Sequence, residues 1–113
     1  MNATNKRIRW GLLGSTGKMG SQVIRVFSES EEFQNTLELV FEDSCRNEKL
    51  VQEKIFEAQP EVLLDFSRPE TLLPLSLALK KLKTRVLICS TGWTEDKKSV
   101  LSKNIGQRNF SFL

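Results

Sequence analysis

The sequence predicts an α/β fold built on a doubly wound parallel sheet of about five strands. Apolar stretches typical of buried strands alternate along the chain with amphipathic stretches of helical period, as in a parallel sheet covered on both faces. The first apolar stretch, residues 8–13, runs directly into three glycines spaced GxxGxxG, namely Gly14, Gly17 and Gly20. A strand, this glycine loop and a helix in succession indicate a Rossmann-type sheet.

The apolar pattern locates each element. We predict strands at residues 8–13, 37–42, 62–66, 85–89 and 110–113. The first helix is predicted over residues 18–28, where Val23, Ile24 and Phe27 recur at helical spacing and should face the sheet. The second is predicted over residues 48–58, with Val51 and Ile55 one turn apart and an end before the proline at position 60.

The last two helices carry signals at their first turns. Residues 69–82 begin with Pro69, whose missing N–H costs little there, followed by Glu70, whose charge suits the helix dipole. Thr94 is a predicted N-cap for a helix that reaches about residue 104. Phe110 and Ser111 are expected to enter the fifth strand.

Length and composition fit one domain, residues 1–113, with 39% hydrophobic and 27% charged residues. No apolar run is long enough for a membrane span and the first residues carry no secretory signal, so we predict a cytoplasmic chain without a membrane partner. The basic residues behind the net charge of +3 are spread along the chain, and the sequence has no tyrosine. A nucleic-acid-binding surface would be expected to interleave aromatic and basic residues, so this pattern does not favour nucleic-acid binding.

Residue types with well-known chemistry are scarce. The sequence has no histidine, and its two cysteines, Cys45 and Cys89, have no CxxC spacing. We therefore predict no metal site, no disulfide and no catalytic residue in this chain. The pair Gly17-Lys18 is not a phosphate-binding loop of nucleoside triphosphatases, because Leu12 and Met19 stand where that motif needs a glycine and a Ser or Thr.

The glycine loop predicts a dinucleotide site. Gly14 would allow a tight turn, Gly17 would let the backbone approach the phosphates, and Gly20 would let the helix pack on the strand. The N–H groups of the first helical turn would hold the pyrophosphate. Lys18 either lies near the phosphates or is simply exposed. The alternative for the whole loop is an ordinary glycine-containing turn between a strand and a helix.

An acid at the end of the second predicted strand bears on the choice of cofactor. Glu42 lies where a carboxylate can accept hydrogen bonds from the adenosine ribose hydroxyls, and Asp43 follows it. Both would repel a 2'-phosphate, and the nearest cation that could reduce this repulsion is Arg46, which does not directly follow the acids. NAD(H) is therefore favoured over NADP(H). The alternative is that both acids begin a polar loop. Ligands of open parallel sheets bind beyond the carboxyl ends of the strands, where four loops should converge.

Three segments, GSTGKMG, VLLDFSRPETLL and VLICSTGW, give a more specific indication. In this order and spacing they resemble the N-terminal dinucleotide-binding domain of the 4-hydroxy-tetrahydrodipicolinate (dihydrodipicolinate) reductase family, oxidoreductases of diaminopimelate and lysine biosynthesis. A strand-to-helix turn would explain Pro69 and Glu70 without this function, but explains Asp65 and Phe66 less readily. The resemblance implies adenosine and pyrophosphate contacts from Gly14, Ser15, Thr16, Gly17, Lys18, Met19 and Glu42, and nicotinamide contacts from Phe66, Ser67, Cys89, Ser90, Thr91 and Gly92.

The chain also departs from the family pattern. Cys89 stands where the family usually has glycine, the segment after Glu42 is shorter, and Asp43 replaces a frequent arginine. The family's second domain, with its histidine pair and lysine, is missing, so we expect the domain to be truncated at its C-terminal end.

These expectations leave three interpretations. The first is the hydride-donor half of a reductase, which binds NAD(P)H without turnover. Its partner would be either a second copy of the chain, bound through the last predicted elements, or a missing C-terminal domain. The second is a stand-alone dinucleotide-sensing or interaction module. The third is an enzyme of another Rossmann family, which the motifs disfavour.

Overall fold

The computed structural model of the chain describes residues 8–15, 17–33, 37–41 and 48–113. Nine main elements follow one another in these ranges: β1 (Trp10–Leu13), α1 (Lys18–Glu29), β2 (Leu37–Phe41), α2 (Glu48–Ala58), β3 (Val62–Asp65), α3 (Pro69–Leu82), β4 (Arg85–Ile88), α4 (Glu95–Ile105) and β5 (Phe110–Phe112). The strands form one parallel sheet in the order β2-β1-β3-β4-β5. The predicted α/β fold with a Rossmann-type parallel sheet is confirmed.

The two faces of the sheet are covered unequally. Alternation along the strands sends Leu13 and Leu63 to one face, while Leu12 and Leu64 lie on the other. Three helices, α2, α3 and α4, pack on the first face and enclose most of the buried core. The second face is covered, within the described ranges, by α1, whose Phe27 is buried there.

The rotation of α1 about its axis differs from the prediction. Phe27 is buried and Val23 half-buried, as expected, but Ile24 is 36% exposed and does not belong to the core. Val23 and Phe27, one turn apart, pack on the sheet, and Gly20 is buried on the same side, so Ile24 lies at the edge of the buried face. The predicted core residues of α2 are confirmed, because Val51 and Ile55 are buried.

Four strands are one or two residues shorter than predicted, β1 at its first residues and β3, β4 and β5 at their last. β1 begins at Trp10, and Phe66 and Cys89 lie just beyond the ends of β3 and β4. Their N–H groups nevertheless continue the ladder: Phe66 donates to the Leu13 carbonyl at 2.9 Å, and Cys89 donates to the Asp65 carbonyl at 2.8 Å. The last strand ends at Phe112, while position 42, the predicted end of the second strand, lies outside the described residues.

Helix ends follow the predicted chemistry. Thr94 is the N-cap of α4, and its hydroxyl accepts a hydrogen bond from the Lys97 N–H at 3.3 Å. α3 begins at Pro69 with Glu70 in its first turn. Two helices run on longer than predicted, α1 to residue 29 and α4 to residue 105. Among the described residues, no helix combines the length and the apolar character needed to cross a membrane.

Candidate functional site

Three loops meet at the carboxyl edge of the sheet. They follow β1, β3 and β4, which are parallel neighbours with Leu13 opposite Asp65 and Asp65 opposite Ile88. β1 lies between β2 and β3, so the strand order reverses at this point, where open parallel sheets bind ligands. The fourth expected loop, with Glu42 and Asp43, lies outside the described residues, as does Thr16.

The glycine loop has the backbone geometry expected of it. Gly14 has a φ of 87°, a left-handed conformation that favours glycine. Gly20 packs on the same turn, since an ideal Cβ at Gly20 would lie 1.9 Å from the Gly14 carbonyl oxygen. Gly17 is the N-cap of α1, and none of the side chains that the structure describes caps that helix end. The N–H groups of the first turn of α1 are therefore left to a ligand or to water.

The side chains around this loop differ in exposure. Ser15 is buried in the turn, with only 7% of its surface exposed. Lys18 is exposed and Met19 is 60% exposed, so both lie on the outer side of the first helical turn. An exposed lysine at this place is compatible with both predicted alternatives for Lys18.

Asp65 joins the two other loops by hydrogen bonds. Its carboxylate is fully buried at the end of β3 and accepts hydrogen bonds from the Ser67 N–H, at 3.0 Å, and from the Ser67 hydroxyl. The Ser90 hydroxyl, in the loop after β4, donates to the second carboxylate oxygen at 3.0 Å. The Trp93 indole N–H donates in turn to the Ser90 hydroxyl at 2.8 Å. These donors compensate for the cost of burying a carboxylate.

A second set of contacts joins the same loops on their outer side. Gly92 has a φ of 90°, and an ideal Cβ there would lie 3.8 Å from the Pro69 ring. The Lys97 ammonium donates to the Glu70 carboxylate at 2.9 Å, and this bond is the main reason why the pKa of Glu70 is lowered. The starts of α3 and α4 are thus held side by side.

The loop after β4 leaves backbone donors open. Among the described residues, no acceptor takes the N–H groups of Ser90, Thr91 or Gly92. Phe66 and Ser67 are half-buried next to this loop, whereas Thr91 and Gly92 are exposed. The structure therefore brings the second group of predicted site residues to one place on the carboxyl edge of the sheet.

Cys89 is half-buried in the same region. Burial raises the pKa of its thiol, and the neighbouring Asp65 carboxylate raises this pKa further. A thiol in this environment stays protonated near neutral pH, which makes it a poor nucleophile and a poor metal ligand. In the described parts of the chain, no three His, Cys, Asp or Glu side chains converge as a metal site.

A cavity of about 390 Å³ lies at the opposite, amino edge of the sheet. Arg9 lines this cavity. Its guanidinium group donates twice to the Gln59 carbonyl, at 3.1 and 3.0 Å, and lies 3.2 Å from the Glu61 carboxylate. The guanidinium of Arg9 is thereby paired, whereas Glu61 Oε1 makes this ion pair without a hydrogen bond among the described residues. Because ligands of parallel sheets bind at the carboxyl edge, we assign this cavity no role in the candidate site.

Comparison with known protein families identifies the fold more closely. The family model described as "Dihydrodipicolinate reductase, N-terminus" matches residues 8–110. The chain belongs to this family. The match begins before the glycine loop and includes both loops that Asp65 joins, so the predicted resemblance is confirmed.

Individual relatives cover the chain at low identity. A 4-hydroxy-tetrahydrodipicolinate reductase of Pelagibacter ubique is 27% identical in an alignment 105 residues long that covers 87% of this chain and 40% of that protein. The enzyme of the same name from Bdellovibrio bacteriovorus is 32% identical over 96 residues, 85% of this chain and 39% of that protein. The 113 residues thus span about two-fifths of the length of these relatives.

Solved structures agree on the fold. A dihydrodipicolinate reductase from Paenisporosarcina sp. TG-14, with dipicolinate bound, superimposes with a TM-score of 0.62 at 18% identity, covering 87% of this chain and 43% of that one. Plasmodium falciparum pyrroline carboxylate reductase, with NADP bound, gives a TM-score of 0.57 at 14% identity, covering 93% and 41%. At such identities the likeness shows a shared fold.

Two residues of the site were not among the predicted contacts. These are Asp65, which is fully buried, and Trp93, which is half-buried, and both are hydrogen-bonded to Ser90. One signal in the sequence pointed to Asp65: an acid ending the apolar run Val62-Leu63-Leu64 occupies a position that should be buried. No comparable signal identified the hydrogen bond of Trp93.

Proposed function

We propose that this domain binds a nicotinamide dinucleotide across the carboxyl edge of its sheet. It would be the hydride-donor half of a reductase similar to 4-hydroxy-tetrahydrodipicolinate reductase. The observation that carries the proposal is the N-terminal end of α1, which follows β1 after the glycine loop. Among the described residues no side chain caps this end, and the helix packs so closely on the loop that Gly20 has no space for a Cβ. When bound, a reduced nicotinamide supplies hydride to a cyclic imine or enamine.

The phosphate half of the proposed site consists of the glycine loop. An uncapped helix N-terminus offers N–H donors and the positive end of the helix dipole, both of which favour a pyrophosphate. Met19 and Lys18 would flank this group, and Gly14, Ser15, Thr16 and Gly17 would surround it. The absence of any side-chain cap at Gly17 supports this assignment, because a cap would compete with the phosphates.

The nicotinamide half consists of the loops after β3 and β4. A nicotinamide carboxamide needs donors and acceptors, which the open N–H groups of residues 90–92 and the hydroxyls of Ser67 and Thr91 would supply. Phe66 offers a half-buried aromatic surface to the ring, and Cys89 a neutral thiol beside it. These residues bind and orient the cofactor.

NADH is the cofactor that we propose in preference to NADPH. The argument comes from the sequence, where Glu42 and Asp43 would accept hydrogen bonds from ribose hydroxyls and repel a 2'-phosphate. We also propose, from the family resemblance, that the hydride acceptor is a cyclic imine or enamine held by another part of the enzyme. With no histidine in its 113 residues, the chain alone is expected to bind cofactor without turnover.

Calorimetric titration of the purified chain with NADH and NADPH, at one salt concentration, tests this function. We expect both to bind and NADH to bind more tightly. The matched variant is Gly17→Val, whose side chain should block the pyrophosphate while the far-ultraviolet circular dichroism stays unchanged. Unaltered affinity in this variant would contradict the phosphate site. Failure of both cofactors to bind the wild-type chain would favour an interaction module instead.

A further inference from the structure

We propose that Asp65 is the positioning residue for the nicotinamide half of the site. Its buried carboxylate would hold the loop of residues 90–93 in the conformation that receives the nicotinamide carboxamide. This inference rests on the proposed function, and it concerns a residue that does not itself touch the cofactor.

The geometry is a relay with a defined direction. The Trp93 indole donates to the Ser90 hydroxyl, and that hydroxyl donates to Asp65 Oδ2. The other oxygen, Oδ1, receives both Ser67 donors. One buried carboxylate therefore binds the second residues, Ser67 and Ser90, of two loops that follow neighbouring strands.

A carboxylate suits this relay better than any other side chain of its size. It only accepts hydrogen bonds, whereas the indole only donates them, so the hydroxyl between them can point in one direction alone. An asparagine would place an NH₂ group at one of the two oxygen positions. If that group faced Ser90, two donors would meet at one hydroxyl and the relay would lose its direction.

Contacts beyond the relay fix the rest of the loop. The Trp93 ring packs edge-on against Phe112, with centroids 5.5 Å apart. With both ends of the loop held, the open N–H groups of residues 90–92 have a fixed orientation before any ligand arrives. A preorganised loop binds more tightly because less conformational entropy is lost on binding.

The test compares two ligands that share one half. ADP-ribose carries the adenosine and pyrophosphate of NADH and lacks the nicotinamide. Calorimetry of Asp65→Asn should show NADH affinity lowered about tenfold, because the charge-assisted hydrogen bond that holds the Ser90 loop is lost. ADP-ribose affinity should stay within about twofold of wild type. Ser90→Ala should give the same selective loss.

Two further variants separate positioning from stability. Trp93→Phe keeps the aromatic packing and removes only the indole donor, so it should lower NADH affinity by a smaller factor and leave ADP-ribose binding unchanged. Ser76→Ala removes a buried hydroxyl that donates to the Leu73 carbonyl at 2.6 Å and accepts from the Asn104 side-chain amide of α4 at 2.7 Å, and that has no contact with Asp65 or Ser90. It should leave both affinities unchanged.

The outcomes are distinguishable. A selective loss of NADH binding in Asp65→Asn, or in Trp93→Phe if the first variant does not fold, supports the positioning role. Equal weakening of both ligands, or no weakening of either, overturns it while leaving the proposed function intact. Failure of the wild-type chain to bind either ligand overturns the proposed function and this inference together.

Discussion

The carbonyl oxygen of Gly14 occupies the space where a side chain on Gly20 would begin, since an ideal Cβ there would lie 1.9 Å from that oxygen. No flexible side chain separates the two residues, so the backbone itself would have to move. Helix α1 consequently rests on the turn out of β1, and its N-terminus is held at the carboxyl edge.

Replacing Gly20 by alanine should therefore destabilise the domain. In an exposed helix this substitution adds about 1 kcal/mol of stability, but overpacking against backbone typically costs about 1–3 kcal/mol. We expect a net decrease in the free energy of unfolding, measured by urea denaturation, together with weaker NADH binding. Gln22→Ala, at an exposed position two residues away, should change stability by less than about 0.5 kcal/mol. An unfolding free energy at or above wild type in Gly20→Ala would contradict this packing.

Glu42 should control the choice between NADH and NADPH. Glu42→Ala removes an acceptor for the ribose hydroxyls and a charge that repels a 2'-phosphate, so the ratio of the two affinities should fall by roughly tenfold. Calorimetric titration with each cofactor measures this ratio. Glu29→Ala, at the far end of α1, should leave it unaltered. If Glu42→Ala also leaves it unaltered, the ribose contact lies elsewhere.

The ion pair between Glu70 and Lys97 should make stability depend on acid pH. The hydrogen bond from Lys97 lowers the pKa of Glu70 below its ordinary value of 4.5, so folding favours the charged carboxylate. This contribution is present above the ordinary value and is lost as the pH falls through the lowered pKa. Because both side chains are substantially exposed, the effect should be small and should decrease with added salt.

Urea denaturation of wild type and Glu70→Gln at low salt measures this effect. The variant should be the less stable of the two near pH 7, and the difference should vanish once the pH has fallen below the lowered pKa of Glu70. Lys97→Gln should lose the same contribution, and the double variant should lose little more. A difference that stays constant down to the lowest pH would show that the charge of Glu70 is not involved.

Cys89 should react slowly with thiol reagents. Burial and the Asp65 carboxylate raise the pKa of this thiol, which lowers the fraction of reactive thiolate at neutral pH. In a Cys45→Ser background, alkylation at neutral pH should be slower than that of a free cysteine. Asp65→Asn should shift the pH profile of the rate toward lower pH. A profile that does not move would mean that the carboxylate does not act on the thiol.

The chain's last elements should promote self-association. β5 is an edge strand, with Phe112 39% and Leu113 87% exposed, and apolar edges favour contact with a second copy. Leu113→Lys should raise the dissociation constant about tenfold, as for the loss of one buried leucine, measured by sedimentation velocity. Leu77→Lys, at an exposed leucine of α3, is the matched control and should have no effect. A wild-type monomer at all concentrations would contradict this prediction.

Sequence patterns predicted the elements of this fold well because each depends on local signals. The left-handed conformation of Gly14, the cap at Thr94 and the buried pair Val51 and Ile55 all follow from residue type and spacing. The exposure of Ile24 depends instead on how far α1 is rotated about its axis on the sheet, which spacing alone does not reveal.

The candidate site shows the same division. Its loops could be predicted because parallel strands end at one edge, and the family's motifs named the residues on their surface. The bond between Asp65 and Ser90 required knowledge that β3 and β4 are neighbours and that both side chains turn inward. Strand order and side-chain direction are tertiary properties, so sequence patterns did not contain them.

The unequal covering of the sheet has a consequence for local unfolding. The loops after β3 and β4 are anchored by the three-helix face, whereas α1 has fewer buried neighbours and can open while the rest of the described fold persists. The proposed phosphate half thus depends on the helix with the least support. A bound dinucleotide would suppress this opening, so the amide hydrogens of α1 would exchange more slowly as ligand concentration rises.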